Sequence, residues 1–390
     1  MGATRTQPPG TAPAAARSGP AHDVAIYAPN AGNLYEHDAG STGGGGAELQ
    51  TMLLATNLAT RGLDVAHIVY PLSDPLPLEP PAPTLVSRNP WRENRLHPLL
   101  ELSDVWQALS KADARVVVVR GSGGYVVPAA AWCRARRRTL VFAASNDLDF
   151  DLHRPDRRRA TLRAYGLAAR QARRLVVQTQ RQAELAPQVF PGLDPILIPS
   201  FAQPAPPTDG EAAYFLWADR LTDYKHPEKV LELAAALPEA PFLIVAPETD
   251  ETSAELRARV VARAGELPNV ELVSRRSREQ LLGDMSRAAA IVKTSRVEGM
   301  PNTFLEAWSR GVPVLSLSVD PDRRIRDHGV GLLAEGSMDR FVEQARQLWT
   351  DPALRAEIGA RGREFVAATH SPDVVADRWS ALLTEVLDES

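Results

Sequence analysis

An alternation that runs twice through this 390-residue chain constrains its fold more than any other feature. Short β-branched runs alternate with segments whose apolar residues recur at helical spacing. The first series predicts strands at 22–28, 65–70, 116–119, 139–142, 175–178 and 196–198, with helices at 47–60 and 125–136. The second predicts strands at 214–218, 242–246, 270–273, 290–293 and 312–317, with helices at 227–237, 253–266, 278–288 and 303–310. Such runs form parallel sheets covered by helices on both faces. Residues 199–212 hold four prolines and no periodicity. The expected architecture is therefore α/β, with two doubly wound halves at 22–200 and 213–370 and a linker at 201–212. A cleft would lie between the carboxyl ends of the two sheets, where ligands bind in such folds. Residues 1–21 read as a disordered Pro/Ala/Gly tail and not a signal peptide. Residues 371–390 read as a helix with Val375, Trp379, Leu382, Leu383 and Val386 on one side. It is expected to pack back on the N-terminal domain.

Composition narrows the function classes. A formal charge of −4 argues against a general nucleic-acid binder. No apolar run approaches the ~18 residues of a spanning helix. The single cysteine, Cys133, excludes an intramolecular disulfide and a Cys-based zinc site, and fits a reducing compartment. A dinucleotide enzyme would need G-x-G-x-x-G after its first strand, but the chain reads Pro29-Asn30-Ala31-Gly32 there. P-loop and H-E-x-x-H motifs are absent from the sequence, and Gly121-Ser122-Gly123 lacks the flanks of a nucleophile elbow. Lysine occurs only at 111, 225, 229 and 293, beside forty arginines. Because this composition favours arginine wherever any cation will serve, each lysine draws attention.

The stretch from Val297 to Val314 carries the most chemistry. Glu298 and Glu306 stand eight positions apart, and between them a turn leads into a helix beginning near Asn302 or Thr303. A helix start offers unpaired N–H groups and a positive dipole end, which suit a phosphate. Pro301 fixes the entry, and Gly299 lets a ligand approach the backbone. The same residues also fit a plainer pattern. Thr303-x-x-Glu306 is a capping box, in which Glu306 bonds only its own helix start, and Asn302 and Thr303 are ordinary cap residues. Both readings stay open at this level.

The whole string closely resembles the E-x7-E signature of the family 4 retaining glycosyltransferases, which have the two-domain GT-B fold of two facing Rossmann-like domains. The resemblance runs from about residue 22 to 388. It implies that Glu298 sits by the donor sugar's hydroxyls and that Glu306 accepts hydrogen bonds from a ribose diol. The amides of Gly299, Met300, Asn302 and Thr303 would touch sugar and phosphates. Leu216 to Lys225 looks like the family's G-R-L-x-x-x-K element, with Arg220 and Lys225 neutralising the donor diphosphate. Asp219 stands where the family has glycine; it is expected to crowd the phosphates or to point away and brace Arg220. Gly43 to Gln50 resembles the G-G-A-E segment, with Gly45 and Gly46 presenting amides to an anion or acceptor. Arg120, Asp147 and Asp149 fall in loops that resemble acceptor-side loops of one branch. Many members carry a histidine near the position of Asn146; none stands there in this sequence.

The resemblance thus implies retaining transfer of a sugar from a nucleotide-sugar donor to a glycan, lipid-linked or small-molecule acceptor, with no metal and no other cofactor. Two rivals remain: a sugar-nucleotide epimerase or hydrolase on the same fold, and a non-catalytic donor-binding subunit. Residues 132–181 add thirteen arginines against four aspartates in an otherwise acidic chain. That excess leads to the expectation of peripheral contact with an anionic membrane, at the inner face in the cytoplasm.

Overall fold

The computed structural model describes residues 19–36, 45–89, 97–154, 157–206, 212–249 and 251–389. Residues 1–18 of the expected tail, Gly43, Gly44, Asp156 and positions 207–211 of the expected linker lie outside the described residues.

The doubly wound α/β architecture is present in both halves. The first sheet contains β1 (His22–Tyr27), β2 (Val65–Val69), β3 (Thr84–Ser87), β4 (Ala114–Arg120), β5 (Thr139–Ala143), β6 (Arg174–Val177) and β7 (Pro195–Leu197). Its order is β3-β2-β1-β4-β5-β6-β7, with every pairing parallel. The second sheet contains β8 (Tyr214–Ala218), β9 (Phe242–Val245), β10 (Val270–Val273), β11 (Ala288–Lys293), β12 (Val314–Ser316) and β13 (Gly331–Leu333). Its order is β10-β9-β8-β11-β12-β13, again parallel. In each sheet the strand order reverses beside the first strand, at β1/β4 and β8/β11. The loops leaving the carboxyl ends of those strands form the crevice of a doubly wound fold. Runs such as Val116 to Val119 are buried throughout because helices cover both faces of the sheet.

The helix Pro372–Asp388 leaves the second domain and covers the first sheet. Trp379, Leu383 and Val386 pack with Val24, Ile26, Val116 and Val118. Their helical spacing puts them on one stripe, and burying a Leu or Val there contributes about 1.5–3 kcal/mol. Arg61 fixes the helix start by ion pairs to Asp373 and Asp377 at 3.1 and 2.8 Å.

The two chain crossovers between domains touch. Ala202 N donates to His370 O, and His370 Nδ1 lies 2.7 Å from Ser200 O. Residues 201 and 202, at the start of the expected linker, are buried and tied down. Gln50 makes the difference: its side chain donates to Phe201 O at 2.8 Å and accepts from Phe201 N at 2.6 Å, completing the backbone pairing of a buried segment. A second tie is Asp322, whose carboxylate accepts from Gln180 N at 2.8 Å and Arg181 N at 3.2 Å. The Ser318 to Asp322 turn thus caps a helix of the other domain. Asp322 and Arg323 adopt left-handed backbone, φ 49° and 58°, to reach it.

Candidate active site

Leu216 of β8 pairs with Ile291 of β11, which brings Asp219, just past β8, beside Lys293, the last residue of β11. There four side chains form a closed ring of alternating charge. Lys225 Nζ lies 2.8 Å from Asp219 Oδ1 and 2.5 Å from Glu298 Oε1. Lys293 Nζ lies 2.5 Å from Asp219 Oδ2 and 2.8 Å from the same Glu298 Oε1. The lysines are 7% and 3% exposed, Asp219 12% and Glu298 13%. Removing such charges from water is tolerable only because each finds two partners. Burial works to raise the Glu298 carboxyl, but Lys293 and Lys225 overcome it and hold the group well below its usual range. Burial works to lower Lys225, and Asp219 and Glu298 overcome that in turn and raise it. The loop is pinned from below: Thr294 Oγ1 donates to Lys225 O at 2.7 Å, and Trp217 Nε1 donates to Thr294 Oγ1 at 2.8 Å.

Asp219 is held by the two lysines and makes no hydrogen bond or ion pair with Arg220, whose partners are Tyr224 and Glu251, which corrects the expectation that it braces Arg220. Arg220 and Lys225 both border Tyr224, with Lys225 Nζ 5.1 Å from its ring centroid. Arg220 is half exposed and donates to Tyr224 Oη at 2.7 Å, with Glu251 3.5 Å away.

The helix Asn302–Arg310 begins after Pro301 with no side-chain cap. The capping-box alternative is thereby overturned, because Glu306 pairs with Arg278 and makes no bond to its own helix start. Its Oε1 lies 2.9 Å from Arg278 Nη2, an ion-pair approach without hydrogen-bond alignment. Arg278 also donates to Gln203 Oε1 at 3.0 Å. Thr303 Oγ1 is buried without a partner among the described residues, and Met300 is buried beneath the turn. Asn302 Oδ1 accepts from Gln50 of the first domain at 3.1 Å. A Cβ on Gly46 would meet Asn302 Nδ2 at 2.3 Å, and one on Gly299 would meet Gln182 Nε2 at 3.1 Å and Ser145 O at 3.2 Å. These glycines permit close approach, so the starts of helices Gly46–Thr60 and Asn302–Arg310 face each other across the crevice. Gly45 is exposed just before the first of them.

On the first-domain side, Asp149 is corrected from an acceptor-facing carboxylate to a loop brace. It is buried and accepts from Ser122 N, Ser145 N, Ser145 Oγ and Asn146 N at 2.6–3.2 Å. Asp147 stays partly open, 3.3 Å from Gln182 Nε2. Its carboxyl is raised, first by burial and further by Asp322 and Asp149, against the lowering of Gln182 and Arg181. Arg120 is pulled down to about 10 by burial, which Asp149, Tyr125 and Glu48 offset in part. Sequence reasoning missed Lys293, Arg278 and Gln182. For Lys293 the signal was there, since it is one of only four lysines.

The arginine-rich segment is less uniform than its sequence. Arg138 pairs with Asp113, and Arg173 and Arg174 pair with Glu385 and Glu389 of the last helix. Arg134, Arg136 and Arg137, and Arg157, Arg158, Arg159 and Arg163, are exposed, as is Leu167 beside them. No helix among the described residues is long and apolar enough to cross a membrane.

Comparison with known proteins follows the same division. Residues 45–198 match a glycosyl transferase 4-like domain and residues 201–365 match glycosyl transferases group 1. A GDP-mannose-dependent monoacylated alpha-(1-6)-phosphatidylinositol monomannoside mannosyltransferase of Corynebacterium glutamicum is 29% identical over 39% of this chain and 41% of its own length. The chain spans less than half the length of the curated relatives it matches. Among solved structures, a sucrose-phosphate synthase of Thermosynechococcus elongatus aligns at TM-score 0.75 and 18% identity, covering 95% of this chain and all of that one. Anabaena Alr3699/HepE, crystallised with UDP and glucose, aligns at TM-score 0.69 and 15% identity, covering 93% of this chain and 99% of that one.

Proposed function

Because this chain belongs to the family 4 glycosyltransferases of GT-B fold, we propose that it moves a sugar from a nucleotide-sugar donor to a glycan, glycolipid or small-molecule acceptor with retention of configuration. The donor lies against the second domain. Glu306 takes the ribose diol, its two oxygens suiting paired hydroxyls. The uncapped N–H groups of Gly299, Met300, Asn302 and Thr303 meet the phosphates, together with Arg220 and Lys225, and no metal is called on. Glu298 takes hydroxyls of the sugar. The acceptor enters from the first domain past Gly45, Gly46, Arg120 and Asp147. Closure of the crevice excludes water, which would otherwise hydrolyse the donor.

The observation that carries this reading is the convergence of Glu298, Lys225 and an uncapped helix start at the carboxyl ends of β8 and β11. Calorimetric titration with nucleoside diphosphates and the bare nucleosides tests it: the diphosphate must bind more tightly than its nucleoside, and equal affinity would remove the phosphate site.

The finer part of the proposal concerns the acceptor. The corynebacterial relative's name gives a phosphatidylinositol mannoside as its acceptor. A lipid-linked acceptor at the inner face of a membrane, in the cytoplasm, suits the exposed arginines at 134–137 and 157–163 on the acceptor domain.

A further inference from the structure

Lys293 has no counterpart in the motifs quoted above, yet it shares Glu298 with Lys225. The two ammonium groups differ in how they are held. Lys293 ends strand β11 and is 3% exposed, whereas Lys225 closes the short turn Asp223–Lys225. Both approach Glu298 Oε1. Asp219 completes the balance by accepting from both lysines. A buried carboxylate stripped of its cation is costly. If Lys225 alone held Glu298, drawing Lys225 toward a diphosphate would leave that carboxylate uncompensated.

We propose that Lys293 is a positioning residue: it is the permanent counter-ion that keeps Glu298 ionised and turned to the donor sugar while Lys225 swings to the diphosphate. Asp219 is the matching anion that lets a second lysine be buried here. Glycine at 219 and lysine at 293 would leave the ring one charge positive; aspartate at 219 without Lys293 would leave it one charge negative. The inference rests on the glycosyltransferase reading and deepens it.

The test uses Lys293→Met and the charge-balanced double variant Asp219→Gly/Lys293→Met. Nucleoside diphosphate and sugar nucleotide are titrated separately, turnover is measured, and melting is followed. Lys293→Met should keep nucleoside diphosphate affinity within about threefold. It should lose the additional affinity that the sugar contributes and drop kcat at least tenfold. The double variant should regain melting temperature but not kcat, because Glu298 still lacks its fixed cation. That second variant keeps the test decisive if the single one folds poorly. Recovery of wild-type kcat in the double variant would mean that Lys293 only offsets Asp219, and would overturn the proposal. So would an unchanged sugar contribution in Lys293→Met. A wild-type protein that binds no nucleoside diphosphate and consumes no sugar nucleotide would overturn the underlying reading as well.

Discussion

Lys225 and Glu298, seventy-three positions apart in the chain, meet at 2.5 Å inside a neutral ring, while Arg220, five residues before Lys225, stands half exposed. Two cations from one motif therefore carry different loads. Arg220→Ala should change stability by less than about 1 kcal/mol, as exposed pairs do. It should weaken diphosphate binding about tenfold, ~1.4 kcal/mol, without affecting the bare nucleoside. Lys225→Met leaves Asp219 and Glu298 sharing Lys293 alone, one charge negative, and should cost more folding stability than Arg220→Ala, up to about 3 kcal/mol, besides its effect on diphosphate. Urea unfolding beside calorimetry separates the two; equal stability losses would contradict the ring's energetic role.

Glu306 makes no bond to its own helix start, so Glu306→Ala should leave helix stability free of a capping penalty. It should weaken nucleoside and nucleoside diphosphate alike by about 1–3 kcal/mol, the range for hydrogen bonds to a charged group. A variant with intact nucleoside affinity would remove Glu306 from the ribose site and leave it as the partner of Arg278.

How much of this was legible in sequence depended on range. Val116 to Val119 and the stripe at Val375, Trp379 and Leu383 declare their elements locally, because burial on both faces and helical spacing are short-range patterns. Strand β3 was missed: Thr84–Ser87 is four residues long with two of them exposed, so it has no pattern to read. Glu298 and Lys225 were legible through the motif resemblance. Lys293 and Asp219 stood out in the sequence, one as a rare lysine and the other in place of glycine, but their pairing did not, because it exists only once β8 and β11 pair. Asp149 misled for a related reason: a loop carboxylate and a buried loop brace look identical until the amides it bonds are in place.

Acid should destabilise the protein through two buried histidines. Burial pulls His67 down to about 3, and burial, against a raising bond from Ser200, pulls His370 down to about 4. The unfolded chain takes up protons as pH falls below about 6.5, the ordinary histidine value, while the folded chain does not. Stability is therefore complete above that pH. It declines below it, by about 1.4 kcal/mol per pH unit for each histidine, until the folded values are reached. Unfolding midpoints measured between pH 7 and 5 should show this slope, and His67→Gln should remove about half of it. A flat profile would contradict buried neutral histidines.

The exposed arginines predict salt-sensitive binding to vesicles with anionic lipid. Each near the surface contributes about 1 kcal/mol, screened over ~8 Å at physiological salt. Replacing Arg134, Arg136 and Arg137 with Gln should reduce co-sedimentation without altering nucleotide affinity; Arg138, paired with Asp113, is left in place. No binding to anionic vesicles at low salt would favour a soluble acceptor.

The most direct test of the central claim is a donor panel with product analysis. The protein is incubated with sugar nucleotides and candidate acceptors, lipid-linked ones included, and products are identified by mass and by the anomeric coupling in NMR. The account predicts release of nucleoside diphosphate in step with formation of a glycoside that keeps the donor's anomeric configuration, lost in Glu298→Gln. Free sugar or an epimerised nucleotide as the sole product, or an inverted glycoside, would contradict it.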